Sequence, residues 1–225
     1  MPVRTILDAL RGGLVVSCQA PPGDPLHGPR FMTAMALAAA NGGAVGIRAE
    51  GIDDLRAIRA EVELPLIGLW KVGREGVYIT PTPEHAAAVA ATGADIVAVD
   101  ATRRPRPGGH ALEEVIGAVH ASGRLAMADV ADLDDALASL DAGADVVSTT
   151  LSGYVGGAPR PDGPDLGLVA RIADRVSAPV FAEGRVSTPD QARRALDAGA
   201  FAVVVGTAIT APGAITTAFA RALRP

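Results

Sequence analysis

Short apolar runs alternate along the whole chain with longer, alanine-rich segments of helical spacing. The runs of strand length are Gly13–Cys18, Ala44–Arg48, Leu66–Lys71, Asp95–Asp100, Arg124–Asp129, Asp145–Thr149, Pro179–Glu183 and Ala202–Gly206. Helix-length segments lie between them near 30–42, 51–62, 83–92, 110–122, 132–142, 164–176, 188–198 and 212–223. Periodicity alone does not separate a short buried strand from one turn of buried helix, so length and flanking Gly and Pro assign the elements. Thr82-Pro83 and Thr188-Pro189 each place a capping residue before a proline at the first helical position. Met1 to Gly12 reads as a short amphipathic helix ahead of the first strand. Eight strand–helix pairs in order predict an α/β fold: a single (β/α)8 TIM barrel over residues 1–225, one domain with a short N-terminal helix.

An internal repeat supports this independently. The steps Gly43-Ala44, Gly93-Ala94, Gly143-Ala144 and Gly199-Ala200 recur at helix-to-strand junctions, roughly 50 residues apart, the length of two βα units. Each glycine is placed to end a helix in the left-handed conformation, so the four steps mark the even-numbered strands. A doubly wound open sheet shares part of this pattern and is the weaker reading. No linker divides the chain. Two Gly- and Pro-rich stretches, Pro21–Pro29 and Tyr154–Pro164, follow strands one and six and belong on the catalytic face of a barrel.

Composition narrows the picture. With 49% hydrophobic but only 3% aromatic residues, the core must be built from Ala, Val, Leu and Ile, which suits buried parallel strands under small-residue helices. A net charge of −5 argues against a nucleic-acid surface. Arg103, Arg104 and Arg106 lie among prolines and read as a solvated loop. The one cysteine, Cys18, excludes an internal disulfide and reads as a small buried hydrophobe. The N-terminal stretch lacks the flanks of a signal peptide, and no apolar run approaches the roughly 18 residues of a membrane helix. A cytoplasmic protein with no membrane or nucleic-acid partner is expected, and the apolar helices leave room for a homodimer.

Polar groups end the apolar runs at nearly every strand: Gln19, Arg48, Lys71, Asp100, Asp129, Thr149 with Thr150, Glu183 and Gly206. In a barrel these positions converge on one mouth. Burying such groups without a use for them is costly, so together they outline a site. An ammonium at Lys71, held near Arg48 in a partly dry site, loses its proton more readily and becomes a usable base. Schiff-base nucleophile, substrate-positioning cation or partner of Glu183 are its competing roles. Glu183 can act as general acid or base, or pair with Lys71. Gly184 and Gly206, after strands seven and eight, let backbone N–H groups approach an anion closely. Arg185 and Thr207 follow them directly. His27, His85, His110 and His120 miss the strand ends, so no metal site is expected. Gly108-Gly109 does not follow a strand as a dinucleotide fingerprint requires. The chemistry is expected to need no cofactor.

At this point the chain resembles the N-acetylmannosamine-6-phosphate 2-epimerase family. The resemblance runs from about Gly13 to the end through Ser17-Cys18-Gln19-Ala20, Gly46-Ile47-Arg48-Ala49-Glu50-Gly51, Tyr78-Ile79-Thr80-Pro81-Thr82 and Val99-Asp100-Ala101-Thr102. Ala128-Asp129-Val130, Thr149-Thr150-Leu151-Ser152-Gly153-Tyr154, Ala182-Glu183-Gly184-Arg185 and Val205-Gly206-Thr207-Ala208-Ile209-Thr210 continue it. It implies interconversion of the 6-phosphates of N-acetylmannosamine and N-acetylglucosamine, a step of sialic acid breakdown. It further implies Lys71 as base, Glu183 as its carboxylate partner, Arg48 and Asp129 holding substrate, and Gln19 as a polar contact. Two departures stand out. Ala211 occupies a position where the family commonly has arginine, and Val72-Gly73-Arg74-Glu75 follows the lysine in place of a charged, aromatic segment. Arg74 or Arg185 is a candidate substitute for the phosphate contact. Another phosphate-binding barrel isomerase, a Schiff-base lyase acting through Lys71, and a non-catalytic sugar-phosphate-binding barrel are the alternatives.

Overall fold

The computed structural model describes residues 3–155 and 162–224. Its first half runs α1 (Val3–Leu10), β1 (Leu14–Cys18), α2 (Pro29–Asn41), β2 (Gly46–Glu50), α3 (Ile52–Glu61), β3 (Leu66–Leu69), α4 (Pro83–Ala90), β4 (Ile96–Asp100) and α5 (Leu112–Ala121). The second half runs β5 (Leu125–Asp129), α6 (Leu133–Asp141), β6 (Val146–Ser148), α7 (Leu166–Ala173), β7 (Val180–Glu183), α8 (Pro189–Asp197), β8 (Ala202–Val205), α9 (Thr207–Thr210) and α10 (Pro212–Ala222). The strands pair in sequence order, all parallel, and β8 closes on β1. The expected (β/α)8 barrel forms.

The repeated glycines do what their spacing implied. Gly43, Gly93, Gly143 and Gly199 take φ of 93°, 93°, 99° and 99°. Each ends a helix and turns the chain into β2, β4, β6 or β8. Thr188 caps α8 by accepting from the Gln191 amide, whereas the Thr82 hydroxyl turns to Glu84 and His85 instead.

Alternation along the strands separates two cores and aims the site. Val15, Ile67, Ile96, Met127, Phe181 and Val204 point inward and pack the barrel interior. Val16, Ile47, Val97 and Ala126 point outward beneath the helices. Burying one such aliphatic side chain stabilises by about 1.5–3 kcal/mol. Truncating Phe181, the largest apolar plug of the interior, would cost about 3–5 kcal/mol. Counting onward by twos from the inward residues reaches Ser17, Arg48, Lys71, Asp100, Asp129, Ser148 and Glu183. The parity that buries the floor therefore lifts these polar groups to the mouth.

The structure corrects two expectations. Strand two starts later and runs to Glu50, so Arg48 is a mid-strand, fully buried residue rather than a strand end. The arginine loop is pinned by polar contacts, with Arg106 buried, Arg104 half-buried and Arg103 alone open to water. Arg103 meets Asp132, Asp134 and Asp135; Arg104 pairs with Asp100 at 2.6 Å; and Arg106 donates to the Asp100 carbonyl. The eighth helix, α10, forms but buries none of its residues. Of the stretch Tyr154–Pro164, residues 156–161 lie outside the described residues.

Candidate active site

Arg48 organises the floor of the mouth. Its Nη1 and Nη2 donate to Asp129 Oδ1 and Oδ2 at 3.1 and 2.6 Å, and Nη1 lies 3.2 Å from Glu183 Oε2. Burial alone would lower the Arg48 pKa, but Asp129 and Glu183 more than offset it, and the guanidinium stays charged. Its Nε is buried with no hydrogen-bond partner, which leaves one donor uncommitted inside the site.

Thr150 links the two carboxylates, its hydroxyl 2.7 Å from Asp129 Oδ1 and 3.1 Å from Glu183 Oε2. Ser148 adds a 3.3 Å contact to the same glutamate oxygen. A hydroxyl carries one proton. With Thr150 donating to the nearer Asp129, the Ser148 hydroxyl is the one left to donate to Glu183. Burial raises the Glu183 pKa and Asp129 adds to the rise, while Arg48 and the hydrogen bonds from Thr150 and Ser148 oppose it.

Lys71 rises from the opposite wall, four strands round the barrel from Glu183. Its Nζ donates to Gln19 Oε1 at 2.7 Å, and Gln19 is oriented by donating its Nε2 to Ser17 Oγ at 3.0 Å. A neutral amide, not a carboxylate, therefore receives the ammonium. Burial lowers the Lys71 pKa; Glu50 opposes, and Arg48 adds to the fall. Lys71 keeps an exposed face, and water tempers that shift.

The other expected residues divide. Gly184, at φ 104°, follows β7 beside the Thr149 and Thr150 carbonyls, and Gly206 begins α9 against Ser17. Thr207 is exposed at the first turn of α9. Arg185 does not face the network. Its Nε and Nη1 donate to the carbonyls of Gly163 and Ser152 at 2.8 and 2.6 Å, stapling the ends of the β6–α7 connection. Arg74 stands on the exposed turn after Lys71.

Sequence reasoning missed Ser17, Glu50 and Ser148 as contributors to the site. The inward parity of β1, β2 and β6 was the signal that could have found them. Among the described residues, no group of three His, Cys, Asp or Glu is placed to hold a metal ion. A floor of fixed charge, a lysine and a glutamate on opposite walls, and glycine-rich backbone after β7 and β8 suit proton transfer on a small anionic substrate.

Comparison with known proteins gives a consistent result. Residues 32–225 match the family model described as "Putative N-acetylmannosamine-6-phosphate epimerase". A Cutibacterium acnes protein named "Putative N-acetylmannosamine-6-phosphate 2-epimerase" is 51% identical over 97% of both chains. The solved N-acetylmannosamine-6-phosphate 2-epimerase from Clostridium perfringens superposes with a TM-score of 0.94 at 42% identity, covering 96% of each chain. Thiamine phosphate pyrophosphorylase from Pyrococcus furiosus, at 20% identity and a TM-score of 0.63 over 94% of this chain and 93% of its own, shares the barrel fold alone.

Proposed function

The chain belongs to the N-acetylmannosamine-6-phosphate epimerase family, and on that premise we propose that it interconverts N-acetylmannosamine 6-phosphate and N-acetylglucosamine 6-phosphate. The observation that carries this reading is geometric: Lys71 and Glu183 stand on opposite walls of the mouth about the Arg48–Asp129 pair, and burial lowers the pKa of the one and raises that of the other. Two titratable groups pushed in opposite directions are the pattern of a base set opposite an acid. The substrate opens to its aldehyde, whose carbonyl acidifies the proton on carbon 2. Lys71 Nζ removes that proton to give an enolate spread over carbons 1 and 2, and a proton returned to the other face of carbon 2 inverts the centre. Glu183 serves the sugar oxygens during ring opening, while Arg48, Asp129, Thr150 and Gln19 hold the substrate. The phosphate rests on backbone N–H groups at Gly184 and Gly206, with Thr207 beside them. The residues thus supply the chemistry without a cofactor, and one barrel carries the whole activity.

A purified sample given N-acetylmannosamine 6-phosphate is expected to produce the N-acetylglucosamine isomer, followed by proton NMR. No turnover would leave a binding barrel. A Lys71 adduct trapped by borohydride would instead indicate Schiff-base chemistry.

A homodimer is part of the proposal. Phe219 and Leu223 at the C-terminal end are 71% and 85% exposed, and Phe31 and Leu37 on α2 are each 39% exposed. Helix α10 touches the fold chiefly through α9, leaving apolar surface for a second copy to cover. Sedimentation at micromolar concentration tests it. We place the enzyme in the cytoplasm, where charged sugar phosphates are retained; among the described residues no helix is long and apolar enough to cross a membrane.

A further inference from the structure

Thr80 has φ 44°, and Arg185 is the only other non-glycine residue with positive φ among the described residues. A β-branched side chain is crowded there, so the surrounding contacts must hold it. They form a small ladder. Thr80 N donates to the Trp70 carbonyl at 2.7 Å, and Trp70 N donates to Thr80 Oγ1 at 3.1 Å. Val72 N donates to the Tyr78 carbonyl at 2.9 Å, and Lys71 pairs with Ile79 in an antiparallel bridge. Residues 70–72 therefore run back-to-back with 78–80 across an exposed turn.

This hairpin begins where regular pairing stops. Strand β3 ends at Leu69, and beyond it the Trp70 amide would lack a ladder partner. A left-handed backbone at Thr80 swings its hydroxyl under that amide. Ile79, buried in the barrel interior, accepts from Asp100 N at 3.0 Å and ties the returning arm to β4. Trp70 is held on its far side by the His85 ring, 5.0 Å away in edge-on contact.

The geometry points to Thr80 as the positioning residue for Lys71: its hydroxyl closes the hairpin that keeps the lysine against Gln19. Thr80 touches no substrate atom and acts through Trp70 and the backbone. This rests on the proposed reaction for its kinetic consequence, but not for its structural one. Glu50 and Arg48 on β2, Asp129 on β5 and Glu183 on β7 surround Lys71, and none of them bonds to Thr80. A changed Lys71 titration in a Thr80 variant therefore reports movement of the lysine.

The test compares Thr80→Ser, Thr80→Val and Thr80→Gly. Serine keeps the acceptor, valine removes it at equal volume, and glycine removes it while accommodating the backbone, so one acceptor-free variant folds even if valine does not. Two quantities are read: kcat and KM for N-acetylmannosamine 6-phosphate, and the pH midpoint of Lys71 reductive methylation without substrate, by peptide mass spectrometry. Thr80→Ser should behave as wild type. The acceptor-free variants should lose about tenfold or more in kcat, with KM changed less than about threefold. Their Lys71 midpoint should rise toward the ordinary lysine value of about 10.4. A folded Thr80→Gly with unchanged kcat and unchanged midpoint would overturn the proposal. If wild type fails to interconvert the sugars, the proposed reaction falls, and the methylation midpoints alone still decide the role of Thr80.

Discussion

Arg48 and Asp129 face each other inside the barrel mouth in a two-point ion pair, with neither side chain open to water. Removing one partner of a buried pair leaves the other charge uncompensated, at about 3–5 kcal/mol. Glu183, 3.2 Å from Arg48, offsets part of that loss. Asp129→Asn should therefore destabilise toward the lower end of the range, read as a lowered midpoint in urea unfolding. An unchanged midpoint would show that the pair contributes nothing net.

Glu50 accepts from the Lys71 amide at 3.3 Å, and its charge opposes the fall in the Lys71 pKa. Lys71 acts as a base, so activity rises with pH as the ammonium deprotonates. Removing the charge with Glu50→Gln lowers the Lys71 pKa further. The rising limb of kcat/KM should move to lower pH in Glu50→Gln, and an upward move would contradict the assignment of Lys71 as the neutral base.

Glu183 gives a stability test of opposite sign to the usual carboxylate. Its folded-state pKa is raised, so the native state holds the proton to higher pH than the unfolded chain. Stability is then fully present below the ordinary glutamate value of about 4.3 and falls as pH rises through the raised value. Glu183→Gln should abolish that slope and raise Tm at neutral pH while activity collapses. The thermal midpoint measured from pH 4 upward, in both proteins, checks it.

Both nitrogens of Arg185 that donate are committed to the carbonyls of Gly163 and Ser152, and Ala211 stands where the family resemblance leads us to expect an arginine. Ala211→Arg should lower KM for the phosphorylated sugar about ten- to hundredfold, the worth of one charge-assisted hydrogen bond. Arg185→Ala should leave that KM nearly unchanged. A tenfold rise in Arg185→Ala with no gain in Ala211→Arg would make Arg185 the phosphate ligand.

The barrel was legible because its signals are local. Gly-Ala steps end helices at Gly43, Gly93, Gly143 and Gly199, and two-residue alternation carries each strand from core to mouth. That alternation also made Lys71, Asp129 and Glu183 readable, and it survives the two-residue shift of β2 that puts Arg48 in mid-strand. What escaped depends on distant partners. The fate of Arg103 is decided by Asp132 and Asp135, about thirty residues on, and nothing near Arg103 announces them. The left-handed conformation of Thr80 runs against its β-branched preference and is tied by two hydrogen bonds to Trp70, ten residues back. Helix α10 carries the composition of a packed helix without the contacts.

The proposed reaction requires proton exchange at carbon 2. The measurement is the loss of the carbon-2 proton NMR signal when N-acetylmannosamine 6-phosphate is incubated in deuterated water with wild type or with Lys71→Ala. Wild type should form the N-acetylglucosamine isomer with deuterium at carbon 2, and folded Lys71→Ala should show neither isomer nor exchange. Exchange and turnover in folded Lys71→Ala at near wild-type rate would remove Lys71 as the base and contradict the mechanism.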